Sequence, residues 1–115
     1  MKGRFGDKQR LAHLLAALDE AIGFIQGFDF AQFTADARTL NACIRSIEVI
    51  GEAARHVTEA TKQQFPQAPW QRMVALRNFV IHQYFDVDIN VLWEVLTVFL
   101  PAARPDLEAA LLAQV

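Results

Sequence analysis

The chain has a single cysteine, Cys43, in 115 residues, so no disulfide can close within it. A lone Cys inside an apolar helical pattern reads as a small core residue, and the chain fits a reducing, cytoplasmic compartment. Long apolar runs are also missing. No stretch reaches the roughly 20 residues of a membrane span, and the polar, basic run from Met1 to Arg10 lacks the apolar stretch of a signal peptide. No Cys/His spacing suggests zinc. No glycine-rich loop is available to cradle a nucleotide, because Gly51-Glu52-Ala53 falls inside a helical pattern. Alternating strand patterns, repeats and low-complexity linkers are absent. Nor is there an excess of positive charge. A net charge of −2 and a pI near 5.8 argue against a protein that coats a nucleic-acid duplex, which would be basic overall. A local cluster of Arg can still bind a few RNA phosphates on an acidic protein.

What is present is apolar surface at helical spacing. Hydrophobic residues make up 53% of the chain, and its length predicts one domain. A chain of this size buries only about two-thirds of its unfolded surface, which leaves room for an apolar dimer seam. Residues 1–6, with Gly3 and Gly6, read as a frayed end. Asp7 is the candidate N-cap of a first helix over about 8–26, with Leu11, Leu14, Leu15, Leu18, Ile22 and Ile25 as its stripe and Gly27 as its stop. His13 lies beside that stripe and reads as a surface or core-edge residue. Phe28, Phe30 and Phe33 form an aromatic connector expected to plug one end of a bundle. Thr34 is placed to cap a second long helix over about 35–56, with Leu40, Cys43, Ile44, Ile47, Ile50 and Ala54 facing inward. Gly51 in mid-helix costs about 1 kcal/mol relative to Ala, and such a Gly signals close approach of another helix. Thr58 opens a short helix over about 59–64, and Pro69 stands at the first turn of a motif helix running to about residue 82. Asp88 is the N-cap of the next helix. Pro101 and Pro105 predict a kink or break near Leu100, then a last helix over about 102–112. Short connections between helices make this an all-α antiparallel bundle.

The stretch Arg77-Asn78-Phe79-Val80-Ile81-His82-Gln83-Tyr84-Phe85 concentrates the chemistry. It threads a permanent cation, an amide, an imidazole and the only tyrosine through residues suited to burial. Arg is the best side-chain clamp for phosphate oxygens, and His can give and take protons near neutrality. On a continuous helix Asn78 and His82 share a face, Arg77 lies about 140° from His82, and Tyr84 lies about 160° from it. Fraying of that end would let His82 and Tyr84 turn toward one mouth. A purely structural account stays open, since Arg and His near a helix C-terminus also suit the macrodipole and a Tyr can bury its ring with a wet hydroxyl. Glu48 and Glu52, at i and i+4, are candidates to brace a basic group of the motif helix. As metal ligands they form an incomplete oxygen set, so no metal or other cofactor is expected.

Arg77-x4-His82-x-Tyr84, with Asn78 directly after the Arg, resembles the motif of the HepT-like toxins, small helical proteins of the HEPN superfamily. The similarity extends to Arg10-Leu11-x-His13-Leu14-Leu15, to Ile44-Arg45-x-Ile47-Glu48-x-Ile50-Gly51-Glu52-Ala53-Ala54, to Trp70, and to Tyr84-Phe85-x-Val87-Asp88 with Trp93 and Leu100-Pro101. It covers roughly residues 10–112. The resemblance implies an HEPN-type helical bundle that dimerises, with a composite cleft at the seam. It implies the toxin of a type VII-like toxin–antitoxin pair, a metal-independent endoribonuclease in which Arg77 and His82 are catalytic and Asn78 supports them. It also implies a minimal nucleotidyltransferase antitoxin as partner, which transfers AMP to Tyr84. The alternative is a non-catalytic helical dimer that binds nucleotide or RNA, or docks a partner; a third reading is a purely structural dimer.

Overall fold

The structure, a computed structural model, describes residues 6–115. The frayed start expected over residues 1–6 lies, but for Gly6, outside the described residues. Eight α-helices and one small hairpin follow in chain order. Helix α1 spans Asp7–Phe24, α2 Phe30–Thr34, α3 Ala37–His56 and α4 Glu59–Gln64. Helices α5 (Trp70–Val74) and α6 (Leu76–Val80) precede strands β1 (Ile81–Gln83) and β2 (Asp86–Val87). Helix α7 (Ile89–Glu94) runs through a π-helical turn, Val95–Phe99, into α8 (Leu100–Leu112). Among the described residues no helix is long and apolar enough to cross a membrane.

The two long helices carry the core. Leu11, Leu14, Leu15, Leu18 and Ile25 of the first stripe are buried, and Ile22 packs at its edge. On α3, Cys43, Ile47, Ile50 and Ala54 are sealed at 3–4-residue spacing, with Leu40 and Ile44 half-buried beside them. Helix α1 packs against α3 on one side and α8 on the other, while α3 also takes α5 and α6. Burial pushes the Cys43 thiol up to about 11, so it behaves as a small apolar residue rather than a nucleophile. At one end of the bundle Phe33 is fully buried, 5.0 Å from the Trp93 ring, and Phe30 meets the same ring edge-on at 5.9 Å. This is the aromatic plug that the connector sequence predicts.

Helix boundaries depart from the sequence reading in ways the side chains explain. Asp7 is the first helical residue and not the cap; Gly6 holds the N-cap position without a side-chain bond. The Asp7 carboxylate instead accepts from the Thr58 backbone N–H and from the hydroxyls of Thr58 and Thr61, tying α1 to the start of α4. Partial burial opposes its charge, but these three bonds and nearby Lys62 outweigh that and hold it below the usual carboxylate range. Thr34 does not cap the second long helix. It ends the separate short helix α2, which Asp29 and Gln32 start with a reciprocal capping box, and Asp36 caps α3 by accepting from Thr39. Thr58 and Asp88 cap α4 and α7 as expected, and Gly27, at φ 81°, supplies the left-handed turn after α1.

The C-terminal helical run does not break. From Ile89 to Leu112 the chain stays helical, and the irregularity is absorbed one turn early by the π segment. Pro101 comes just after the π segment and Pro105 one turn later within α8. Arg104 on α8 donates twice to Asp19 on α1, at 2.7 and 2.9 Å, and lowers the Asp19 pKa. This two-point bond fixes the angular setting of α8.

Two elements approach closely at Gly51. A Cβ there would lie 3.3 Å from the Met73 carbonyl oxygen and 3.4 Å from that of Val74. Helix α3 therefore rests directly on the backbone of α5. Gly51→Val places two branches against immobile carbonyls and should destabilise the fold by about 1–3 kcal/mol, read as a lower urea midpoint at unchanged m-value. Wild-type stability in the Val variant would mean that α3 and α5 can separate freely.

Candidate functional site

The motif does not form one helical face. Backbone dihedrals at Ala75 (φ −92°, ψ 2°) end α5 and begin α6, so Arg77 and Asn78 ride on a separate five-residue helix. That helix stops at Val80, and Ile81 is extended. Asp88 N–H donates to the Val80 carbonyl at 2.7 Å, which closes the hairpin instead of another helical turn. β-branched Val80 and Ile81 favour this outcome, since both are stiff at χ1 and suit strands. The single motif helix expected from Pro69 to about residue 82 is therefore two short helices: Arg77 and Asn78 are helical but on the second of them, and His82 lies beyond its end, in β1. The shared Asn78/His82 helix face does not exist.

His82 occupies a special place in the hairpin. Ile81 pairs with Val87 and Gln83 with Asp86, so β1 has one residue more than β2 between the two pairs, and that residue is His82. It is the extra residue of a bulge, a feature that re-aims a side chain. Tyr84 and Phe85 form the turn, with no positive φ among non-glycine residues. Two-residue loops without positive φ splay their strands, which fits a ladder that ends after so few residues. Tyr84 is 93% exposed and touches the Phe85 ring edge-on at 5.0 Å. The reading of Tyr84 as a buried ring is excluded.

Arg77 is held from the side. Its Nε donates to Glu48 Oε2 on α3 at 3.2 Å, a bond that uses one of its five N–H donors. Arg77 and Asn78, with Arg45, Glu48, Glu52 and Arg55 of α3, line an open groove of about 380 Å³, and Gly51 forms part of it. Glu52 does not reach the motif: it pairs with Arg55 at 3.4 Å and His56 at 3.0 Å, and these bonds hold it below the usual carboxylate range. Of the two candidate bracing carboxylates, only Glu48 meets Arg77. Among the described residues no group of three or more His, Cys, Asp or Glu is arranged to hold a metal ion. His82 and Tyr84 lie outside this groove. His82 Nε2 instead lies 3.8 Å from Asp88 Oδ2. Sequence reasoning took Asp88 only as a cap, and it does cap α7 through its other oxygen, Oδ1, accepting from Val91 at 3.1 Å. One carboxylate therefore serves two elements, and the six-residue separation of His82 and Asp88 was legible only once the hairpin was known.

The fold and the site define a class: a small helical bundle that displays an Arg/Asn pair and a bulged His on its surface. A profile of the ribonuclease HepT-like family matches residues 14–111. The chain belongs to the ribonuclease HepT-like family, and RNA cleavage is the activity of that class. It is similar to "Putative RNase MJ1380" of Methanocaldococcus jannaschii, 34% identical over 101 residues, 88% of this chain and 93% of that one. "Probable ribonuclease HepT" of Thermococcus cleftensis is 36% identical over 98 residues, 82% of this chain and 89% of that one. "Putative RNase TTE0752" of Caldanaerobacter subterraneus is 30% identical over 91 residues, 79% and 81% of the two chains. No solved structure gives a significant match.

The Arg77–Glu48 pair is half-exposed, with side-chain accessibilities of 53% and 35%. Such pairs contribute about 0–1 kcal/mol, so its structural value is small. Glu48→Gln should change the unfolding free energy by less than about 1 kcal/mol in urea denaturation. A larger loss would make Glu48 a structural residue and not a brace.

Proposed function

We propose that this chain is the toxin of a toxin–antitoxin pair and cleaves RNA without a metal ion at a composite site built from Arg77 and His82 of two protomers. The observation that carries the reading is the Glu48-braced Arg77, with Asn78 beside it on an open groove, in a chain whose bulged His82 stands on a separate element. Transesterification needs little else. A base removes the proton of the ribose 2′-hydroxyl, and that oxygen attacks the adjacent phosphorus. The bond from phosphorus to the 5′-oxygen breaks as an acid protonates the leaving oxygen, giving a 2′,3′-cyclic phosphate and a free 5′-hydroxyl. Arg77 offsets the charge that builds on the phosphoryl oxygens, and Asn78 donates to one of them. His82 is the base or the acid, with the Asp88 carboxylate beside it to orient the ring.

One chain supplies one His to these two proton transfers, and a symmetric dimer supplies two, with two Arg. Exposed Phe79 (48%) on the motif helix and Val98 (59%) on the π segment are the kind of apolar side chains that a dimer would cover. Tyr84, exposed at the hairpin tip two residues after His82, is the residue that a nucleotidyltransferase antitoxin would modify with AMP. The added charge and purine would then compete with RNA for Arg77.

Sedimentation should give about twice the 13.0 kDa chain mass. Cleavage should persist in EDTA, leave a cyclic phosphate, and fail when the cut nucleotide is 2′-deoxy. Arg77→Ala and His82→Ala should each abolish both cleavage and growth arrest, while a harmless wild-type chain would sink the toxin reading. Tyr84→Phe keeps the ring and should stay folded and toxic, yet escape silencing by the partner and ATP. Wild type under the same treatment should gain the mass of one AMP. A Phe variant silenced as fully as wild type would assign inhibition to simple occlusion.

A further inference from the structure

The groove beside Arg77 holds more cationic donors than one phosphoryl group can use. Arg45 and Arg55 are ten residues apart on α3, about 15 Å along the helix axis, and Arg77 with Asn78 faces them from α6. Both carboxylates in the groove are already engaged. Glu48 takes only the Nε of Arg77, and Glu52 takes Nη2 of Arg55 together with His56. A guanidinium has five N–H donors, so Arg77 and Arg55 each keep most of theirs. Arg45 is exposed and forms no ion pair among the described residues.

The rest of the lining decides what such a groove can read. No aromatic ring borders it, and its apolar part comes from Ile47, Gly51 and Val74. Single-stranded nucleic acid is held by two devices, stacking of bases on aromatic rings and cationic grooves along the backbone. This groove has the second and lacks the first. The exposed aromatic rings of Tyr84 and Phe85 lie on the hairpin, outside it.

We propose that the groove between α3 and α6 is a phosphate track, in which Arg45 and Arg55 bind RNA backbone phosphates flanking the one engaged by Arg77. The assignment rests on the RNA-cleaving reading and adds to it where the substrate strand lies. A track of this kind is indifferent to base identity, so the choice of cleavage site comes from elsewhere on the assembly. Arg45 and Arg55 are positioning residues: they raise the occupancy of a long substrate and do not touch the reacting atoms.

The test measures binding apart from cleavage. A fluorescent single-stranded RNA with 2′-O-methyl groups throughout has no 2′-hydroxyl nucleophile and stays intact on the wild-type dimer. Its affinity is titrated against salt for wild type, Arg45→Gln, Arg55→Gln and the double variant. Each lost phosphate contact should lower the log–log salt slope by about 0.7 and weaken binding several-fold at low salt. For a long RNA, KM should rise in each variant while kcat holds. Wild-type affinity and slope in the double variant would overturn the track. So would unchanged RNA binding with loss of antitoxin binding, which would make the groove a protein-docking surface. If the 2′-O-methyl RNA binds with the expected slopes while unmodified RNA is not cut, the track stands and the catalytic reading falls.

Discussion

The site depends on one contact between backbones. Because position 51 carries no side chain, α3 can lie against the Met73 and Val74 carbonyls at a distance where a Cβ would fit only tightly, 3.3 Å from the first and 3.4 Å from the second. That distance sets the depth at which α5 and then α6 sit on α3. Arg77 is only three residues beyond Val74, and Glu48 is one helical turn before Gly51. The 3.2 Å Arg77–Glu48 bond is therefore a consequence of the packing, reached without either side chain being buried. A fold that fixes a cation in this way need not spend core volume on it. It also avoids the desolvation penalty that a buried ion pair would carry.

Stability and chemistry are correspondingly separated in space. The core is made mostly of aliphatic residues from α1, α3, α6, the π segment and α8, with Phe33, Met73 and Trp70 among them. Arg77, Asn78, His82 and Tyr84 all stand outside it. Glu48 meets Arg77 and Asp88 lies near His82, and neither carboxylate sits within the apolar cluster. Asp88 carries both a helix cap and the neighbour of His82, so the start of α7 and the setting of the imidazole are coupled.

Much of this was legible from residue spacing. The stripes of α1 and α3 followed from period 3.6, and the close approach at Gly51 followed from a glycine where helix propensity disfavours one. The aromatic plug followed from the clustered Phe residues. What misled was local chemistry with two solutions. Asp7 and Thr34 are good capping residues, but each had a neighbour better placed, Gly6 by position and Asp36 by its bond to Thr39. In the motif, Phe79-Val80-Ile81 supports helix by periodicity and strand by side-chain shape. The tertiary bond from Asp88 to Val80 decides between them, and spacing alone does not contain it. Spacing likewise offered Glu48 only as one of two candidate braces, and the contact with Arg77 singles it out. The place of His82 required the hairpin.

The π turn at Val95–Phe99 has a bearing on how chain length can vary here. A π turn holds one residue more than the α-helical path would. Its register brings the Phe99 ring under the Arg72 guanidinium at 4.7 Å, and it delivers Arg104 to Asp19 five residues later. Deleting one residue of the segment would return the chain to the regular helical path and leave the faces beyond it in register. Arg104 would still point at α1, and Leu107 and Ala110 would stay inside. The same deletion in the regular helix of α8 would turn every later side chain by about 100°, so the π turn is a place where this run can lose a residue without turning a buried face outward.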